Sequence, residues 1–239
     1  MRSFLLLLTA FLSLPVLIAC NKQNSHTMVP VVQNSADTIK NMLALGDSYT
    51  IGQSVPDTDR YPVQTASILK TKGVFFNLPE IIAITGWTTA NLLNKLSTSP
   101  PVRQSYDIVT LLIGVNNQFQ GLSQDVYHTE FTLLINKAIL YAGNRKNHVI
   151  VLSIPDWGVT PFAISGHYDQ QLIARQIDSF NVINHDVSVQ AGVNYINITG
   201  DSRMAANDLS LIANEGLHFS GKEYHIWAMK LEAIIRAVL

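Results

Sequence analysis

"LALGDSYTIGQ", residues 43–53, contains an apolar run that climbs to Leu45 and is broken abruptly by Gly46, Asp47 and Ser48. Gly-Asp-Ser is ordinary turn chemistry, and one reading of the stretch ends there. The other reading makes Ser48 a nucleophile presented at the tip of a strand. A serine hydroxyl in that role needs a base, a group that orients the base, and donors for a developing oxyanion. All three must come from elsewhere in the chain.

Working outward, short apolar runs alternate with longer helical patterns. Strands are expected at 42–45, 81–84, 108–113, 149–154 and 195–198. They are rich in Ile, Val and Leu and lack clean alternation, as strands covered on both faces do. Helices are expected near 62–72, 89–96, 124–142 and 169–190, and from about 221 to the end. Ser123 reads as an N-cap, Gly73 as a C-cap, and Ser220-Gly221-Lys222-Glu223 as a capping box. Five strands joined by helical crossovers predict a three-layer α/β/α sandwich around a five-stranded, mainly parallel sheet. In such sheets ligands sit beyond the carboxyl ends of the strands, where strand order reverses. For a flavodoxin-like order that point lies between the first and third strands, and Ser48 follows the first.

The chain of 239 residues suits one domain with an ample core. Its net charge of −1 and charged fraction of 14% argue against a nucleic-acid partner, which would require a basic face. At the N-terminus, Arg2 precedes an almost unbroken apolar stretch from Phe4 to Ile18, short for a membrane span and shaped like a secretory signal. Leu17-Ile18-Ala19-Cys20 resembles the bacterial lipobox. That resemblance implies removal of residues 1–19, acylation at Cys20 and a domain lipid-anchored in the bacterial cell envelope, in the periplasm or at the surface. Cys20 is the only cysteine, so no intrachain disulfide is possible. Residues 20–40 read as a polar tether, and 41–239 as the folded domain.

The remaining parts are sought at the other strand ends. Gly86, after the second strand, lets the backbone approach a ligand with its N–H exposed. Asn116 and Asn117 follow the third strand and Gly114, and a carboxamide can donate to an oxyanion without carrying charge. His218 lies in the loop before the last helix, with Glu215 three residues earlier. Among the seven histidines it is the best base. Glu-x-x-His could also suggest a metal, but there is no second such pair and no His-Glu-x-x-His, and Gly216 opposes a helix there. Neither a metal nor another cofactor is expected.

The blocks Gly46-Asp47-Ser48-Tyr49, Gly86, Gly114-Val115-Asn116-Asn117 and Glu215-Gly216-Leu217-His218 resemble, in order and spacing, those of the SGNH (GDSL) hydrolase superfamily. The resemblance runs from Met42 to Leu239. It implies a serine esterase on a flavodoxin-like sheet, with Ser48 as nucleophile, His218 as base, and an oxyanion hole formed by the N–H groups of Ser48 and Gly86 and the Asn116 side chain. This chain departs from the family pattern at Glu215 (usually Asp), Asn117 (usually Asp) and Phe219 (often Pro). Glutamate still reaches the imidazole, so Glu215 is kept as the acid, with carbonyls of its own loop or Asp208 as substitutes.

The expected substrate is a small-molecule, glycan or lipid ester. A rival reading is a non-catalytic envelope lipoprotein that binds a glycan or lipid on the same fold; Glu215 and Asn117 favour it, and intact Ser48, Gly86, Asn116 and His218 oppose it. A Gly-x-Ser-x-Gly elbow would require glycine where this chain has Thr50. Beyond the fourth strand, Trp157, Pro161 and Phe162 are expected either to wall the acyl or alcohol pocket or to form a satellite core beneath a long loop.

Overall fold

The protein is seen in a computed structural model that describes residues 39–239. Cys20 and the boundary expected at 19/20 lie outside the described residues. Strands β1 (Met42–Gly46), β2 (Glu80–Ala83), β3 (Ile108–Leu112), β4 (Val149–Leu152) and β5 (Asn194–Ile196) form one sheet in the order β2-β1-β3-β4-β5. Every neighbouring pair is parallel. The three central strands are buried along their whole length, which accounts for their unbroken Ile, Val and Leu character.

Right-handed crossovers distribute the long helices between two faces. α2 (Tyr61–Thr71) packs against α9 (Gly221–Val238) on one face. On the other, α5 (Gln124–Tyr141) packs between α3 (Thr89–Thr98) and α7 (Gln170–Ala191). Four short helices stand at strand ends and in loops: α1 (Ser48–Ile51), α4 (Val115–Phe119), α6 (Pro161–Ser165) and α8 (Thr199–Ser202). Among the described residues no helix is long and apolar enough to cross a membrane.

Local signals explain most boundaries. Ser123 caps α5 by accepting the Asp125 N–H at 3.2 Å, and Gly73 follows α2 at φ +81°. The capping box expected at Ser220 does not form. The Ser220 hydroxyl instead donates to the Ser210 carbonyl at 2.7 Å, and Glu223 accepts from the Trp227 indole. The chain does build a capping box at α3, between Thr88 and Asn91.

Register sets up the functional end of the sheet. Gly46 lies beside Ala83 on one side and Leu112 on the other, so the tips of β1, β2 and β3 are level. Strand order reverses between β1 and β3, and the loops that carry Ser48, Gly86 and Asn116 all leave from this rim.

Candidate active site

Ser48 opens α1 immediately beyond β1. Asp47 caps that helix, its Oδ1 accepting the Tyr49 N–H at 3.1 Å. A first-turn residue such as Ser48 has no carbonyl partner for its own N–H within the helix, so this donor is free to face the site. Gly46 permits the tight turn, because a Cβ there would overlap the Thr50 side chain and the Leu112 carbonyl. Asp47 is wholly buried, and its Oδ2 has no partner. Burial pushes its pKa up to about 7, against the N–H groups of Tyr49, Asp47 itself and Gly114.

Gly86 adopts φ +86°, a left-handed conformation that side chains oppose, and open space lies where its Cβ would project. The Asn116 amide is oriented by donating one N–H to the Trp87 carbonyl at 2.9 Å, which ties α4 to the loop that holds Gly86. Its neighbour Asn117 turns away from the cavity and is fully buried. There it accepts the Thr89 N–H at 3.1 Å and donates to the Thr89 hydroxyl at 2.7 Å, and that hydroxyl donates onward to Glu130. The departure at position 117 therefore serves to join α4 to the start of α3.

His218 comes from a loop stapled at both ends. Ile212 and Phe219 form an antiparallel bridge, and the Ala213 N–H donates to the His218 carbonyl at 2.8 Å. Gly216 turns this loop at φ +83°, and its carbonyl accepts the Phe162 N–H at 2.9 Å. Around that turn Glu215 folds back, accepting the N–H groups of Leu217 at 2.6 Å and His218 at 2.9 Å. It also accepts from His218 Nδ1, leaving Nε2 as the ring nitrogen without a partner among the described residues. Asp208 is committed elsewhere, to Lys222 at 2.7 Å and to Ser210.

Burial lowers the His218 pKa below its usual 6.5, and the Glu215 carboxylate only partly offsets this. Burial works to raise Glu215, but the N–H groups of Leu217 and His218, together with the imidazole, bring it below its ordinary value. The pair therefore holds a neutral imidazole beside an ionised carboxylate at neutral pH.

Ser48, Gly86, Asn116 and His218 line one cavity of about 120 Å³, walled further by Tyr49, Thr85, Val115, Phe119, Trp157 and Leu217. The His218 ring meets Tyr49 edge-on at 5.5 Å between centroids. No hydrogen bond joins the Ser48 hydroxyl to His218 in the unliganded chain, a contact that commonly tightens only when substrate binds. Among the described residues no group of three or more His, Cys, Asp or Glu side chains could hold a metal ion.

Trp157 combines both of its expected roles. It is 3% exposed, donates to Gln118 Oε1 at 2.8 Å and still faces the cavity. Phe162 belongs to α6 rather than to a loop and lines a groove beside His218, whereas Pro161 lies under Gly216, away from the cavity. Sequence reasoning missed Thr85, Val115, Phe119 and Leu217 as cavity walls. Val115 and Leu217 stand inside the quoted blocks and Thr85 adjoins Gly86; Phe119 reaches the cavity from the end of α4.

A serine, a glycine N–H, a carboxamide and an imidazole gathered on the carboxyl rim of a 2-1-3-4-5 parallel sheet define a GDSL-type hydrolase. Residues 44–226 match the GDSL-like Lipase/Acylhydrolase family, and the chain belongs to it; by family it is a carboxylic ester hydrolase. No curated protein matches the sequence. Among solved structures, the chain is similar to the lipase/acylhydrolase from Enterococcus faecalis (TM-score 0.64, 15% identity, 83% of this chain and 96% of that one). It is also similar to TesA (0.62, 16%, 84% and 100%) and to the acetylxylan esterase Axe2 from Geobacillus stearothermophilus (0.63, 16%, 82% and 94%). At these identities the likeness establishes the fold.

Proposed function

We propose that the chain hydrolyses carboxylic esters by acyl transfer through Ser48. The Ser48 oxygen attacks the ester carbonyl while its proton passes to His218 Nε2. The N–H groups of Ser48 and Gly86 and the free N–H of Asn116 receive the oxyanion. Glu215 holds the imidazole in the productive tautomer and stabilises the imidazolium. Collapse of the intermediate expels the alcohol, which takes the proton from His218. Water then repeats the sequence on the acyl-serine. The observation that carries this reading is the convergence of the hydroxyl, the donors and the Glu215-oriented imidazole on one cavity.

The test is turnover of acetyl to octanoyl p-nitrophenyl esters by the full chain beside Ser48→Ala and His218→Ala. Wild-type turnover no higher than that of both variants on every ester would remove the catalytic assignment.

Lipid attachment at Cys20 and residence in the bacterial envelope belong to the same proposal. They are supported by the lipobox-like Leu17-Ile18-Ala19-Cys20 and the apolar run before it. Retention of label from a radioactive fatty acid in wild type, and its loss in Cys20→Ala, is the expected result.

A further inference from the structure

The position of His218 divides the cleft. The leaving oxygen must come within hydrogen-bond reach of Nε2 to be protonated, so the alcohol portion of the ester lies on the His218 side. With the carbonyl oxygen held by the oxyanion donors, the acyl carbon chain must leave in another direction. The cavity is walled also by Val115, Phe119 and Trp157, all apolar and none of them shared with the groove beside His218.

The His218 side is chemically different. A groove of about 240 Å³ opens there, lined by Gln53, Ser54, Thr85, Phe162, Glu215, Leu217 and His218. The Thr85 hydroxyl donates to Gln53 Oε1 at 2.7 Å, which fixes the amide and leaves both Nε2 hydrogens without a partner among the described residues. Ser54 stands beside it in a left-handed conformation, φ +68°, uncommon for a non-glycine residue. It is held there by the turn that closes α1, where the Gln53 N–H donates to the Ser48 carbonyl at 2.9 Å. Strained backbone at a ligand groove is a feature that surrounding structure must enforce. In the same groove, Phe162 is 36% exposed and offers an aromatic surface. Free N–H donors, a hydroxyl and an aromatic surface in one groove suit a molecule that carries both hydroxyl groups and C–H faces.

We propose that the leaving alcohol is hydroxyl-rich and carbohydrate-like, and that Gln53 Nε2 donates to a hydroxyl neighbouring the ester. This rests on the serine-esterase reading and adds the identity of the alcohol. An apolar alcohol of similar size would strip water from Gln53 and Ser54 without replacing it.

The test keeps the acyl group constant. The full chain is assayed on a methyl O-acetyl-xyloside, on n-butyl acetate and on p-nitrophenyl acetate. The expected kcat/KM for the acetylated sugar exceeds that for butyl acetate by about tenfold or more, the size of one well-made hydrogen bond. Gln53→Glu keeps an acceptor for Thr85 but removes both donors, and should lower the sugar ester's kcat/KM about tenfold more than the butyl ester's. Gln53→Ala should lower that ratio as far. A wild-type preference for butyl acetate, or a ratio unmoved by Gln53→Glu, overturns the proposal. The p-nitrophenyl ester separates the two claims. Turnover there above that of Ser48→Ala, with no sugar preference, defeats only the alcohol assignment; turnover equal to Ser48→Ala defeats the esterase reading and the alcohol assignment together.

Discussion

The limb that carries Ser48 and the limb that carries His218 reach the same cavity by different means. Ser48 follows a strand buried at every residue, and the carboxylate next to it, Asp47, is sealed from water with its pKa pushed up to about 7. His218 has no strand behind it. Its loop is held by a two-residue bridge, the Phe162 contact and Glu215, whose side chain is 34% exposed and whose pKa is lowered. Two carboxylates beside one site are thus driven in opposite directions. The difference is burial: Asp47 is sealed from water, and the N–H groups of Tyr49, Asp47 and Gly114 do not make up the loss, whereas the partly exposed Glu215 is carried the other way by two backbone N–H groups and a ring. On the proposed mechanism, a buried strand end fixes the nucleophile without help from charge, and the loop-borne base depends on its carboxylate.

Removing the reacting groups gives the largest effect on both limbs. Ser48→Ala and His218→Ala should each lower kcat on p-nitrophenyl acetate by on the order of 10⁴-fold or more, with folding retained by circular dichroism. Glu215→Gln tests the dependence of the base limb on charge. It should cost about 10³-fold and move the acid edge of the residual activity to lower pH, because the carboxylate is what raises His218 against burial. In wild type, activity should rise through an apparent pKa below 6.5, the imidazole being active when neutral. An acid edge unmoved by Glu215→Gln would separate Glu215 from His218 function.

Asn116→Ala removes one oxyanion donor and should cost on the order of 10²-fold in kcat, with KM changed far less. Asp47→Asn sharpens the comparison through stability. The Asp47 pKa is higher folded, about 7, than unfolded, near 3.8, so its contribution is intact below pH 3.8 and is lost as pH rises through 7. The wild-type melting temperature should therefore carry a falling component between about pH 4 and 7 that the variant lacks. The smallest effect is expected from Trp157→Ala, a few-fold change in preference among acetyl, butyryl and octanoyl esters, since the indole lines the cavity on what we propose is the acyl side. Loss of stability with unchanged preference would make Trp157 purely structural.

How much of this could be read from the residues alone follows from the range of the interactions. β1, β3 and β4 are legible because a strand covered on both faces must be apolar throughout, and their parallel direction follows from the helical crossovers between them, whereas the strand order came from the family resemblance. The Glu215 contact with His218 was legible because the two stand three residues apart in one loop. The capping box at Ser220 failed because its hydroxyl is drawn to Ser210, ten residues back, across the Ile212–Phe219 bridge. Asn117 is explained only by Thr89, 28 residues away. Helices as short as α1, α4 and α6 form because tertiary contacts stop and start them, and propensity cannot report that. Hence Phe119 and the groove beside Gln53 were invisible until the chain was folded.

All five strands of the sheet run the same way, and this parallel arrangement has a practical corollary. Ile39 and Lys40 enter at the amino end of β1, where Lys40 bridges to Phe76, while the cleft opens at the carboxyl end, about 17 Å further along a five-residue strand. Whatever grips the chain through the residues before Ile39 holds the domain by its heel. An attachment made at that end leaves the cleft, at the opposite rim of the sheet, unobstructed.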